Sequence, residues 1–98
     1  MAKKRKVRLS RWDLADDMKT DQDRAEYLEA ALEDGDPALI LSVLGHIARS
    51  RGMTEIAREA GLGRESLYKG LSTHGNPAFT TVLQVIRALG LRLHASPA

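Results

Sequence analysis

Residues 53–71, reading MTEIAREAGLGRESLYKGL, constrain the fold of this chain more than any other stretch. The spacing predicts two short helices joined by a tight glycine turn. Ile56, Ala57 and Ala60 share one face of the first helix, and Ala57 is small where the two helices cross. Gly61 and Leu62 make the turn, with Gly61 free to adopt backbone angles that a side chain resists. Leu62 and Leu67 pin the second helix to the core, and Leu71 is its last anchor. Arg64, Glu65, Ser66, Tyr68 and Lys69 are then left facing outward. This is the pattern of a helix-turn-helix, whose second helix enters the major groove of DNA.

The outward residues divide by chemistry. Arg64 opens the second helix and is the candidate base contact, bidentate to guanine; the plainer alternative is an exposed arginine resting on phosphate. Glu65 has two outlets, a cytosine amino group or Lys69 four residues on, and the i,i+4 spacing favours Lys69. Ser66 and Lys69 suit phosphate better than base edges. Tyr68 packs either on the sugar–phosphate backbone or on the domain itself. Thr54, at the start of the first helix, either brings its hydroxyl and amide to a phosphate or only caps the helix.

The rest of the chain frames that motif. Its 98 residues allow one small domain with a short extension, and with aromatic content of 4% the core must be mainly aliphatic. A domain of this size buries little apolar surface and is often completed by a partner or a second copy. The absence of cysteine excludes disulfides, thiolate metal sites and thiol catalysis. No apolar run is long enough to span a bilayer, and the basic N-terminus lacks the apolar segment of a secretory signal, so a cytoplasmic location is expected. Net charge is +2, but residues 1–12 carry six positive charges and no negative ones. Residues 13–36 carry ten acids against Lys19 and Arg24, and residues 37–98 carry seven basic residues against three acidic. Three segments of different charge suggest different partners for each.

Three regions follow: a disordered basic arm over 1–8, an acidic helical extension over 9–35, and the helix-turn-helix domain with a C-terminal strand over 36–98. In the arm, Lys3-Lys4-Arg5-Lys6-Val7 reads as a solvated tail, as an arm touching DNA phosphate or as a nuclear-localisation-like string. Trp12, Leu14 and Met18 suit an extended lead-in and one helical turn. Thr20 with Asp23 three residues on marks a helix start. That helix runs to about Asp34 with Ala25, Leu28 and Leu32 as its apolar stripe, and Gly35 stops it. Asp36 and Pro37 begin the next, whose Leu39, Ile40, Leu41, Val43, Leu44, Ile47 and Ala48 make it the central helix. Arg49 and Arg51 sit at its C-terminal end, and Gly52 closes it. Asn76 and Pro77 start the last helix, which carries Phe79, Val82, Leu83, Val85, Ile86 and Leu89 and ends at Gly90. Residues 91–94 alternate apolar and basic as a short strand does, and need a partner: residues 7–11 of the same chain or the same strand of a second copy. The expected fold is all-α, a small five-helix bundle containing the helix-turn-helix, with a short terminal strand.

Nothing in the sequence points to catalysis, a metal or a cofactor. His46, His74 and His94 are scattered and lack partners at ligand spacing. Gly61-Leu62-Gly63 has neither the preceding strand nor the third glycine of a phosphate loop. Ser66 and Ser72 have no paired base. An enzyme is not expected.

Several longer segments carry a family resemblance: Tyr27-Leu28-Glu29-Ala30-Ala31-Leu32-Glu33, Gly35-Asp36-Pro37-Ala38-Leu39-Ile40, Gly45-His46-Ile47-Ala48-Arg49, Arg64-Glu65-Ser66-Leu67-Tyr68-Lys69, Gly75-Asn76-Pro77-Ala78-Phe79 and Ala88-Leu89-Gly90-Leu91-Arg92-Leu93. With them the chain resembles the addiction-module antidote proteins, HigA-like antitoxins with a Cro-type helix-turn-helix, over residues 9–93. Two positions depart from the family pattern: Gly63 stands where serine is usual and Gly70 where alanine is usual. The resemblance implies a lambda-repressor-like fold and a homodimer that binds double-stranded DNA at its own operator and represses the pair. It also implies a small RelE-like or HigB-like toxin as partner. An RNA-cleaving toxin needs a basic surface, which the acidic residues 13–36 suit. Trp12, Tyr27 and Leu28 are the candidate anchors on that face and Glu26 and Glu29 the candidate charges; the plainer alternative is a solvated helix whose aromatics pack on the core. A stand-alone phage-type repressor, or an interaction module that has lost DNA binding, are the other functions the residues allow.

Overall fold

Five α-helices form among residues 18–72 and 74–98, the residues that the computed structural model describes: α1 (Asp21–Asp34), α2 (Pro37–Arg51), α3 (Met53–Ala60), α4 (Arg64–Gly70) and α5 (Phe79–Ala88). Their ends follow local capping chemistry. The Thr20 hydroxyl accepts from the Asp23 amide at 3.0 Å while the Asp23 carboxylate accepts from the Thr20 amide at 3.2 Å, a reciprocal box that fixes the start of α1. Asp36 accepts from the Ala38 amide at 3.1 Å, and Pro37 occupies the first helical position, where its missing N–H costs nothing. Gly52 both closes α2 and opens α3, so these two helices meet at a single residue. Gly61, at φ 73°, ends α3 in the left-handed conformation that a glycine adopts without strain.

Among the described residues the core is aliphatic around one buried aromatic ring, that of Tyr27. Val43, Leu44, Ile47 and Ala48 of α2 are fully buried, which makes α2 the central helix, while Leu39, Ile40 and Leu41 are only half-buried. Ile56 and Ala57 of α3, Leu67 of α4, Leu71 just beyond it, and Val85, Ile86 and Leu89 of α5 complete the cluster. Helix α1 packs on α2, and α3 contacts α2, α4 and α5. Each fully buried Leu, Ile or Val contributes roughly 1.5–3 kcal/mol. Two glycines permit close approach. A Cβ on Gly45 of α2 would lie 2.7 Å from the Leu71 carbonyl oxygen, and one on Gly75 would overlap the carbonyls of Lys69 and Gly70. The end of α4 is therefore seated against backbone on both sides.

Four expectations need correction. The inward stripe of α1 is Arg24, Tyr27, Leu28 and Ala31, not Ala25, Leu28 and Leu32; Leu32 is 40% exposed. Arg24 joins the inward stripe with its charge met at the rim of the core, by the exposed residues Asp21 and Ser50. Its guanidinium donates to Asp21 Oδ1 and to Ser50 Oγ, each at 2.9 Å, and Ser50 in turn donates to the Ile47 carbonyl at 2.7 Å. With its charge satisfied, the arginine stem packs as an apolar residue would. Arg51 extends this contact, lying 3.6 Å from Asp21 and donating to the Leu89 carbonyl at 3.1 Å, which ties α1, α2 and the end of α5 together. The last helix starts at Phe79 rather than Pro77, with no side-chain cap. Gly75 lies against the end of α4, so residues 75–78 follow that contact before the helix can begin. Phe79 is 67% exposed and takes no part in the core. Finally, residues 91–94 form no strand among the described residues, since a lone strand leaves its backbone unpaired. The intrachain partner expected for it, residues 7–11, lies outside the described residues, as do the whole basic arm, Trp12 and Leu14; Met18 is described and is buried.

Candidate nucleic-acid interface

Helix α4 is held by one side. Leu67 is its only fully buried residue, and Leu71 continues the anchor one turn on. Arg64, Glu65, Ser66, Tyr68 and Lys69 are all exposed, so the structure brings the five predicted residues onto the free surface of one short helix. The Arg64 guanidinium lies over the Tyr68 ring, 5.6 Å from its centroid. Stacking of this kind aligns the guanidinium along the helix surface and is worth about 0.5–1 kcal/mol when exposed. Sequence reasoning missed this pair, although its i,i+4 spacing signals it. The Glu65–Lys69 ion pair expected from the same spacing does not form among the described residues; an exposed pair of this kind gains too little to be held in place. Lys69 instead offers its carbonyl to the Ser72 hydroxyl at 2.9 Å.

Thr54 is exposed in the first turn of α3 and does not cap that helix, because the cap position is Gly52. Gly63 precedes α4 at the cap position and provides no side-chain hydrogen bond.

The acidic face lies elsewhere, on α1. Glu29 is exposed and 3.8 Å from His94 of the C-terminal segment, a contact the sequence did not signal. Glu26 is half-buried and accepts from the Gln22 amide at 3.4 Å. Tyr27, taken with Trp12 as an aromatic anchor for a partner, is 1% exposed and belongs to the core, so its ring is not offered at the surface in this fold. Among the described residues no group of three or more His, Cys, Asp or Glu is placed to hold a metal ion, and no helix is long and apolar enough to cross a membrane.

Comparison with known proteins decides the family. A family model described as "Probable addiction module antidote protein" matches residues 8–97. The chain belongs to this antidote family. A protein of Haemophilus influenzae, itself described only as uncharacterized, is 46% identical over 84 residues, covering 86% of this chain and 87% of its own length. No solved structure matches. An antidote implies a toxin, so membership gives the chain a toxin as its class of partner. The antidote-family match takes in all five described helices and both surfaces described above, the exposed side of α4 and the acidic side of α1.

Proposed function

We propose that this protein is the antitoxin of a type II toxin–antitoxin pair. It binds and neutralises a RelE-like or HigB-like toxin in the cytoplasm and, as a homodimer, represses its own operon. The observation that carries this reading is the antidote-family match over residues 8–97. The DNA half is supported by α3 and α4 acting as a helix-turn-helix. Their three-residue turn and single buried anchor, Leu67, leave α4 free to lie in a major groove. In this reading Arg64 contacts a base edge, Ser66 and Lys69 hold phosphate, and Thr54 presents its hydroxyl to the backbone of the same duplex. Glu65 accepts from a cytosine amino group, its other outlet, since no pair with Lys69 forms among the described residues. Tyr68 positions Arg64 by stacking and lies against the sugar–phosphate backbone.

The toxin half rests on the acids of α1. Glu26 and Glu29 face a basic RNA-binding surface on the toxin, and the long-range attraction speeds association. With Tyr27 in the core, the ring supports that helix from behind.

A mobility-shift assay of the pure protein on its own upstream DNA, across a salt series, tests the repressor half. Specific binding predicts a clear preference over random duplex that persists as salt rises. Weak binding that is equal on all duplexes and lost at moderate salt would remove autorepression from the proposal.

A further inference from the structure

Helix α5 carries two apolar stripes. Val85, Ile86 and Leu89 are buried in the core, and among the described residues Val82 and Ala88 are the half-buried side chains of α5 that pack on it. Leu83 is half-buried outside that cluster, and Phe79, one turn before it, is 67% exposed. Spaced four apart, the two lie on one face of the helix. Thr80 and Gln84 flank them, both exposed, and exposed Arg87 continues the row one turn on. Phe79 is the most exposed large hydrophobic side chain among the described residues, and a contiguous apolar patch of this kind marks a contact surface.

The charge around this face limits what can cover it. Residues 70–86 contain no Asp, Glu, Lys or Arg in a chain where such residues make up 29%, and no acid follows Glu65. A basic RNA-binding surface therefore finds no carboxylate on this face of α5 and is repelled by Arg87. The phosphates of a duplex gain nothing from Phe79 or Leu83. A copy of the same face does fit. A symmetric contact sets each patch against itself, which an uncharged apolar patch tolerates and a charged one does not.

We propose that a second copy of this chain docks on the outer face of α5, the two α5 helices running antiparallel about a twofold axis at Leu83. Leu83 lies four residues, about 6 Å, from both Phe79 and Arg87. The antiparallel pairing sets Phe79 of each copy beside Arg87 of the other, where a guanidinium meets the face of a ring favourably. A parallel pairing would set arginine against arginine. Only residues 71–78 separate α4 from α5, so the axis that pairs α5 also fixes how far apart the two α4 helices stand. That distance is what the spacing of operator half-sites reads. The inference rests on the homodimer of the reading above and names the surface that forms it.

The chain has no cysteine, so one introduced at the axis reports on it cleanly. Facing residues of helices packed about 8–10 Å apart have Cα atoms roughly 3.5–5.5 Å apart, within reach of a disulfide. In the full-length Leu83→Cys variant, mild oxidation is expected to give a disulfide-linked dimer, while Asp34→Cys, exposed at the end of α1, stays largely uncrosslinked. Sedimentation equilibrium is expected to find the wild-type chain dimeric at about 200 µM. Leu83→Lys brings two ammonium groups together at the axis and should raise the dimer dissociation constant at least about tenfold. Phe79→Ala, at a position too exposed to endanger folding, should raise it at least about fivefold. A wild-type dimer that Leu83→Cys does not cross-link, or that either folded variant leaves as tight as before, overturns this face and leaves the homodimer standing. Wild-type chain that stays monomeric at about 200 µM overturns both, and leaves toxin capture untouched.

Discussion

Gly45 shows how much of this fold turns on a single missing atom. It lets α2 approach the carbonyl of Leu71 closely, and that carbonyl lies at the end of α4. Gly45→Ala is expected to lower stability by about 1–3 kcal/mol, because the obstacle is backbone and not a side chain that can rotate away. An unchanged urea midpoint would show that the two helices separate at no cost. Arg64 carries the opposite kind of prediction, since it is exposed and lies over the ring of Tyr68. Arg64→Ala is expected to leave the melting temperature nearly unchanged and to weaken binding to the protein's own upstream DNA by about 1–3 kcal/mol. Toxin binding should be unaffected. Equal affinity of the variant and the wild type for that DNA would take Arg64 out of the recognition set. The outward placement of Arg64, Glu65, Ser66, Tyr68 and Lys69 was legible in the sequence because Leu67 and Leu71 fix the helix phase. The close contact at Gly45 was not, since residues 26 apart in the chain leave no local pattern.

At the scale of the element, α4 is the least reinforced helix. Gly63 provides it with no capping side chain, and Gly70 ends it without a methyl group. A Cβ at Gly63 would have nothing closer than the Ser66 hydroxyl at 3.8 Å, and one at Gly70 would meet Pro77 at an ordinary 3.5 Å. Gly63→Ser is therefore expected to stabilise the protein by a few tenths of a kcal/mol. Gly70→Ala is expected to add up to about 1 kcal/mol. Calorimetry on the double variant should find a higher Tm; a lower one would mean that α4 needs its looseness to fit. Helix ends were the best-read part of the fold because Thr20, Asp36, Gly35, Gly52 and Gly61 act on their immediate neighbours. Two features were misread for a common reason. The inward face of α1 depends on Ser50 accepting Arg24 from a distant helix, and the start of α5 depends on Gly75 meeting the end of α4. Neither partner is visible from within the element it controls.

Over the whole molecule, the two candidate surfaces are carried by different helices, the acidic one by α1 and the basic one by α4. Reversing Glu26 and Glu29 to lysine should weaken toxin capture at low salt, most of all through slower association, while the preference for one duplex over another is kept. Capture that is unchanged at low salt would leave the acids as solvated surface. The charge division itself was plain in the sequence; which side of α1 carries the acids outward was not, because Tyr27 and Arg24 had to turn inward first. The single-sided anchoring of α4 has an evolutionary consequence. Five of its seven positions face away from the protein, so their substitution costs little stability, typically within about 0.5 kcal/mol. In the proposed repressor, operator preference can then drift with almost no penalty to the scaffold. Duplicated modules of the proposed kind in one genome would then be able to diverge into mutually insulated circuits while each keeps its acidic α1 unchanged.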